Sequence, residues 1–352
     1  MKTVALLIIN YNGLSYLPQC LAAALGTRQT DIERQVYIVD NNSTDGSAEY
    51  ITSHYPQVRL IHSQTNLGFA GANQLGWEAI MKQGTADYIF LLNQDAYLTE
   101  DCLTQLVDFL EQHQDAVAAQ PKVLLWPDRG TINSLGNRIH YLGFGYTDGN
   151  DQIDQHIATV PRSVNYCTGA AVMLRPDPIE RLGAGLFDPA MFMYMEDLDL
   201  GWRLRLAGYR NYVVPQAVAY HQYEFNRSMK QVMYFERNRL WVIAKNYRLA
   251  TLLLLLPAFL IMECGQLFFA WRREWLGAKL RSYSWLGSRS EWSKLLSQRQ
   301  QVARSRKISD RAMIREFTGQ ILFQPLSPWL LRAVANPFFA LYRRLLLLIL
   351  FW

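Results

Sequence analysis

The chain has 352 residues, half of them hydrophobic and 18% charged, with a formal net charge of +5. That composition supplies a packed core for one large domain, or a domain with an appendage, and excludes wholesale disorder. The charge is unevenly placed: residues 1–240 carry 18 Lys+Arg against 25 Asp+Glu, and residues 241–352 carry 17 against 5.

In chain order, short apolar runs alternate with amphipathic stretches. VALLIIN (4–10), QVYIVD (35–40), VRLIHS (58–63) and DYIFLLN (87–93) each read as a buried strand with a polar end. Helical stretches near 14–26, 46–54, 71–83 and 100–113 separate or follow them, which is the pattern of a mainly parallel α/β sheet covered on both faces. Ligands of such sheets collect at the carboxyl ends of the strands. Residues 121–165, rich in Gly, Asn and Asp, predict strands and loops forming one wall of a site. A further strand is expected at 166–174 and a helix at 197–207, stopped by Gly208. The run at 4–9 is too short for a signal-peptide core and polar Asn10, Tyr11 and Asn12 follow it, so the catalytic part is expected in the cytoplasm. Cys20, Cys102, Cys167 and Cys264 form no CxxC pair and read as small buried hydrophobes in a reducing compartment.

Beyond about residue 240 the chain becomes basic and leucine-rich, dividing it into a domain over 1–240 and a helical region over 241–352. Residues 249–271 are long enough to span a bilayer, but Pro257 and the lone acid Glu263 interrupt them and both flanks are basic. A second apolar segment, 329–352, is broken by Arg332, Arg343 and Arg344. Helices lying in the cytoplasmic leaflet and contacting anionic lipid fit both segments, with a single span or a soluble core helix as alternatives. Nucleic-acid motifs are absent, so a nucleic-acid partner is not expected.

Four constellations carry chemistry. Asn10, Tyr11 and Asn12 end the first strand, and Asp40-Asn41-Asn42-Ser43 ends the second; such groups hydrogen-bond a base or ribose, or simply cap a helix. Asn66 to Asn73, including Gly68, opens a helix whose terminus favours a diphosphate. Asn93-Gln94-Asp95 follows a buried strand, where a carboxylate can hold Mg²⁺ or Mn²⁺ or sit in an exposed turn. Glu196, Asp197 and Asp199 crowd three acids into one helix start. Capping explains one or two of them, but not readily a third. Arg203 lies one helical turn beyond, placed to pair with an acid or to contact a diphosphate.

In order and spacing NYN, DNNSTDGS, NLGFAGANQLG, LLNQD, TGAAVMLR, FDPAMFMYMEDLDLGWRLRLAGY, His221 and ERNR resemble family 2 glycosyltransferases, specifically their rhamnosyltransferase-like branch. The resemblance covers roughly residues 3–240. It implies a GT-A fold, Rossmann-like, and an inverting transfer of rhamnose or a similar hexose from a nucleoside-diphosphate sugar to a glycan or polyprenyl-linked hydroxyl at the cytoplasmic face of the inner membrane. It also implies that Asn10, Tyr11, Asn12, Asp40, Asn42, Gly68, Asn73, Asn93 and Asp95 line the donor site. Asp95 and His221 would hold the divalent metal, Asp197 would be the general base beside Glu196, and Asp199 and Arg203 would support it. One departure is the first acid of the usual Asp-x-Asp, which is Asn93 here and weakens the expected metal site. A non-catalytic nucleotide-sugar-binding scaffold subunit is the alternative function, and a nucleotidyltransferase a more remote one, since residues 10–20 hold no glycine-rich triphosphate loop.

Overall fold

The computed structural model describes residues 1–26, 32–155, 159–223, 231–322 and 328–352. They form two compact units: Met1–Asn137 with Thr147–Leu204 and Tyr209–Glu224, and Arg138–Tyr146 with Arg205–Gly208 and Phe225–Trp352. The chain begins with β1 (Lys2–Asn10), α1 (Leu17–Leu25), β2 (Ile32–Asp40), α2 (Ser47–His54), β3 (Arg59–His62) and α3 (Gly68–Gln83). It continues through β4 (Tyr88–Asn93), β5 (Ala96–Leu98), α4 (Cys102–Gln112), β6 (Ala116–Leu125) and β7 (Ile132–Ser134). Then come a short ribbon, β8 (Asn137–Ile139) and β9 (Gly145–Thr147), followed by β10 (Arg162–Val164), β11 (Ala171–Leu174), α5 (Pro176–Glu180), α6 (Glu196–Leu206) and β12 (Arg210–His221).

The main sheet runs in the order β10-β12-β6-β11-β4-β1-β2-β3, with β5 paired to β12 and β7 to β6. Val4 to Ile8 are wholly buried, which is why β1 is apolar without alternation: helices cover both of its faces. Each such Val, Leu or Ile contributes about 1.5–3 kcal/mol by leaving water. Gly76 lets α3 approach this strand, since a Cβ there would lie 2.3 Å from the Leu7 side chain. β1 runs parallel to β2 on one side and β4 on the other, placing Asn10 opposite Asp40 and Ile9 opposite Asn93. The chain leaves β1 in both directions, so a crevice opens at these three strand ends. The strand expected at 166–174 is confined to Ala171–Leu174, because the residues before it make a turn that carries site contacts.

The second unit is helical: α7 (Val232–Asn246), α8 (Leu249–Arg272), α9 (Leu276–Arg281), α10 (Arg289–Ser305), α11 (Asp310–Glu316) and α12 (Asn336–Ile349). Among the described helices, α8 is the one long and apolar enough to cross a membrane by length and composition. One of its faces is buried through Thr251, Leu255, Ala258, Met262 and Ala270, at helical spacing. The sequence presents Glu263 as a lone acid in an apolar run, and the structure corrects this. Glu263 turns inward, paired with Arg239 of α7 and, at 2.8 Å, with Lys279 of α9, and it accepts a hydrogen bond from the Tyr283 hydroxyl. The next residue, Cys264, is exposed, unlike the buried Cys20, Cys102 and Cys167, so the expectation of four buried cysteines holds for three. The outward face of α8 shows Leu253, Leu256, Leu260, Ile261, Phe268 and Trp271 to solvent. α12 packs beside it, with the Tyr342 hydroxyl donating to the Leu254 carbonyl at 2.6 Å.

Candidate active site

The crevice is assembled by amides and hydroxyls that tie neighbouring strand ends together. Buried Asn10 donates through Nδ2 to Asp40 Oδ1 at 2.9 Å and lies within bonding distance of the Ser43 and Ser47 hydroxyls. Asn12 takes a left-handed conformation (φ 49°) that an Asn tolerates, and its Oδ1 accepts from the Thr44 amide at 2.8 Å. Asn42 is likewise left-handed, with φ 66°. Tyr11 stands out from this frame, 45% exposed, as a flat surface at the crevice mouth. Gln94 clamps its backbone: Oε1 accepts from the Tyr11 N–H at 2.9 Å, and Nε2 donates to the Tyr11 carbonyl at 3.3 Å. Gln94, read from sequence only as the middle of Asn-x-Asp, therefore joins the β1 loop to the β4 strand end.

The start of α3 is more closed than its sequence suggests. The N–H groups of Leu67, Gly68 and Ala70 donate to Asn41 Oδ1, Asn66 Oδ1 and the Phe192 carbonyl. These three donors are used within the protein and do not form an open anion site. Gly68 has φ +69°, and a Cβ there would lie 2.3 Å from the Phe192 carbonyl oxygen, so the position serves close packing of the 192 loop. Asn73 is buried and donates to the Phe69 carbonyl of its own helix.

At the far side of β4, Asn93, Asp95 and His221 meet. His221 ends β12, with Nε2 3.3 Å from Asp95 Oδ1 and 3.4 Å from Asn93 Nδ2. Its Nδ1 lies 3.0 Å from Oδ1 of Asn133 on β7, a residue outside every sequence motif. Asn93 Oδ1 is buried with no hydrogen-bond partner. A carboxylate and an imidazole meeting at one strand end, beside an amide whose oxygen is unpartnered, are donors that fit a divalent cation. Among the described residues no three His, Cys, Asp or Glu side chains gather into a metal site, so a cation here relies on the Asp–His pair and the amide.

The acidic cluster at the start of α6 separates into distinct roles. Asp199 is buried and bonded to Arg203 at 2.8 Å, while the Arg203 guanidinium also donates to the carbonyls of Gly185 and Leu186. Arg203 is thus taken up by the protein. Asp197 is held by two backbone N–H groups, Leu198 at 2.7 Å and Gly169 at 3.2 Å. Gly169 belongs to the turn before β11, and the carbonyl of the next residue, Ala170, accepts from the Asn93 N–H. One short turn thereby braces both Asn93 and Asp197. Val172, Phe187, Leu200 and Leu204, all buried, line a small apolar cavity beside Asp197. Burial in these surroundings pushes the Asp197 carboxyl up to about 6, against the pull of its two N–H donors. Burial and the neighbouring Asp197 charge raise Glu196 well above the ordinary carboxylate range, and its Oε2 has no hydrogen-bond partner. Phe192, Tyr194 and Met195, leading into α6, all adopt positive φ (62°, 67° and 73°). Non-glycine residues in that region store roughly 1–3 kcal/mol each and cluster at functional sites.

Comparison with known proteins matches this architecture. Residues 5–182 match the family described as Glycosyl transferase family 2. An N-acetylglucosaminyl-diphospho-decaprenol L-rhamnosyltransferase of Mycobacterium tuberculosis is 28% identical over 60% of this chain and 74% of its own length. The rhamnosyltransferase WbbL of Escherichia coli is 24% identical over 70% of this chain and 91% of its own. Two solved structures share the GT-A fold at 14% identity: GalNAc-T7 with UDP, GalNAc and Mn²⁺ (TM-score 0.58, 85% of this chain and 55% of that one) and Staphylococcus aureus TarS (0.51, 98% and 53%). The chain thus spans about half the length of each of those two. With a matching family spread across the β1 to β11 frame that carries the crevice, the chain belongs to glycosyl transferase family 2, with rhamnosyltransferases among its relatives.

Proposed function

We propose that this glycosyltransferase works in cell-surface polysaccharide synthesis, moving rhamnose or a similar hexose from a nucleoside-diphosphate donor to a glycan or polyprenyl-linked hydroxyl, with inversion. The observation that carries the reading is Asp197, a carboxylate at the crevice whose pKa of about 6 suits a base working near neutral pH. Tyr11, Asn10, Asn12, Asp40 and Asn42 would hold the nucleoside, and the 1–240 region would be the catalytic part. Asp197 takes the proton of the acceptor hydroxyl, whose oxygen attacks the anomeric carbon as the bond to the diphosphate breaks on the opposite face. Glu196 and the Asp199–Arg203 pair hold the helix start that presents it. A divalent cation, held by Asp95, His221 and the Asn93 amide, would neutralise charge on the leaving diphosphate. Support for that metal includes the Mn²⁺ in the GalNAc-T7 structure.

Residues 241–352 would seat the enzyme on the cytoplasmic leaflet of the inner membrane. The outward leucines of α8, the apolar face of α12 and exposed Trp271 and Phe351 fit an apolar phase, while the Arg-rich flanks fit anionic headgroups. Glu263, Arg239 and Lys279 favour a helix lying in the leaflet over a span, because crossing would carry two buried cations to membrane depth with it.

The test uses the full chain with vesicles, Mn²⁺ and a panel of nucleoside-diphosphate sugars, following nucleoside diphosphate release and the anomeric configuration of the product. Turnover that vanishes in Asp197→Asn while donor binding persists is expected. Absence of turnover with any donor, undiminished turnover by Asp197→Asn, or a retained configuration overturns the mechanism.

A further inference from the structure

His221 presents Nε2 to Asp95, and what stands behind the ring decides whether that nitrogen can act as a ligand. Nδ1 lies 3.0 Å from Asn133 Oδ1 in a buried contact. An amide oxygen only accepts, so this contact places the proton on Nδ1. A neutral imidazole protonated there carries its lone pair on Nε2, the atom 3.3 Å from Asp95 Oδ1. Asn133 is itself buried. It reaches the ring from β7, across β6, which pairs with both β7 and β12. A second observation points to the same place. Asn93, whose Nδ2 lies 3.4 Å from His221 Nε2, keeps its other amide atom, Oδ1, buried with no partner. Leaving such an atom unsatisfied is a desolvation penalty that ligation of a cation would remove.

We propose that Asn133 is a positioning residue for the metal site: by accepting the Nδ1–H of His221 it sets the tautomer and ring orientation that turn Nε2 into a ligand beside Asp95 and the Asn93 oxygen. The proposal rests on the reading that Asp95 and His221 take a divalent cation. Partners behind ligating histidines change metal affinity by about 10–100-fold when removed, without touching the metal. An amide in this role leaves the imidazole less electron-rich than a carboxylate would.

The experiment compares the full chain with its Asn133→Leu, Asn133→Asp and His221→Ala variants. Mn²⁺ affinity is read by electron paramagnetic resonance without any substrate, and the His221 ring nitrogens by ¹⁵N NMR with and without Mg²⁺. Asn133→Leu is expected to weaken Mn²⁺ binding about 10–100-fold and to release the Nδ1-protonated form. Asn133→Asp, which still accepts from Nδ1–H, should bind Mn²⁺ at least as tightly as the parent. A Leu variant binding Mn²⁺ within twofold of the parent, or an Asp variant as weak as the Leu variant, overturns the proposal. If the parent itself binds no Mn²⁺, the metal reading fails first; the ring-nitrogen spectra then report separately whether Asn133 holds the Nδ1 proton.

Discussion

Replacing Glu263 by alanine separates a helix packed on protein from one immersed in lipid. Arg239 and Lys279 are both fully buried and share two acids, Glu236 and Glu263. The cluster is neutral as it stands. Removing Glu263 leaves two buried cations facing one carboxylate and strips the Tyr283 hydroxyl of its acceptor. Breaking a buried pair in this way costs about 3–5 kcal/mol, mostly the penalty of an uncompensated charge. The double variant Glu263→Ala, Lys279→Met restores neutrality and should lose less than the sum of the single changes, with a coupling of roughly 0.5–3 kcal/mol. Urea unfolding followed by tryptophan fluorescence measures this, because Trp241 and Trp285 pack edge to face within the same unit. A loss below about 1 kcal/mol for Glu263→Ala would refute the reasoning. So would a Glu263→Leu variant that is stabilised and partitions more strongly to vesicles, since that outcome requires Glu263 to face lipid.

Four further outcomes are expected. Because the Asp197 carboxyl is raised to about 6, kcat/KM for the acceptor should fall tenfold per unit as pH drops below 6 and level off above it. A raised carboxylate weakens the fold as pH climbs from the ordinary carboxylate value to about 6, so Asp197→Asn should be no less stable than the parent at pH 7 by calorimetry. Gly68→Ala forces a positive φ on alanine and a clash with the Phe192 carbonyl, so it should destabilise by more than about 1 kcal/mol and raise the donor KM in steady-state kinetics. Leu253→Glu with Leu348→Glu, at sites 64% and 82% exposed, should leave the melting temperature within a degree or two yet reduce co-sedimentation with anionic vesicles severalfold. Unchanged sedimentation would remove the leaflet reading.

Much of the catalytic frame was legible because parallel strands buried on both faces must be continuously apolar and must end in polar residues. The runs at 4–10, 35–40 and 87–93 announce the three adjacent strand ends that carry Asn10, Asp40 and Asn93. Crowded acids at 196–199 likewise marked a helix start, since like charges need relief. Which acid does what was not legible. Asp199 is neutralised by Arg203 while Asp197 is left to backbone N–H groups, a division set by how α6 docks on the Gly169 turn. The α3 terminus reads as an anion site, yet Asn41, Asn66 and the Phe192 carbonyl use three of its donors, two of these partners arriving from other segments.

By itself, then, the sequence determined the class of the sheet, the strand ends that form the crevice, the family, and the basic, apolar character of the tail. These follow from periodicity, composition and ordered motifs, all local properties of the chain. Only the tertiary structure decided that Asn133 stands behind His221, 88 residues away, that Gln94 clamps Tyr11, and that Glu263 is paired rather than alone. Each depends on a directional contact between groups distant in sequence. Such contacts leave no periodic trace, because hydrogen bonds and ion pairs are satisfied by whatever group the fold brings within about 3 Å.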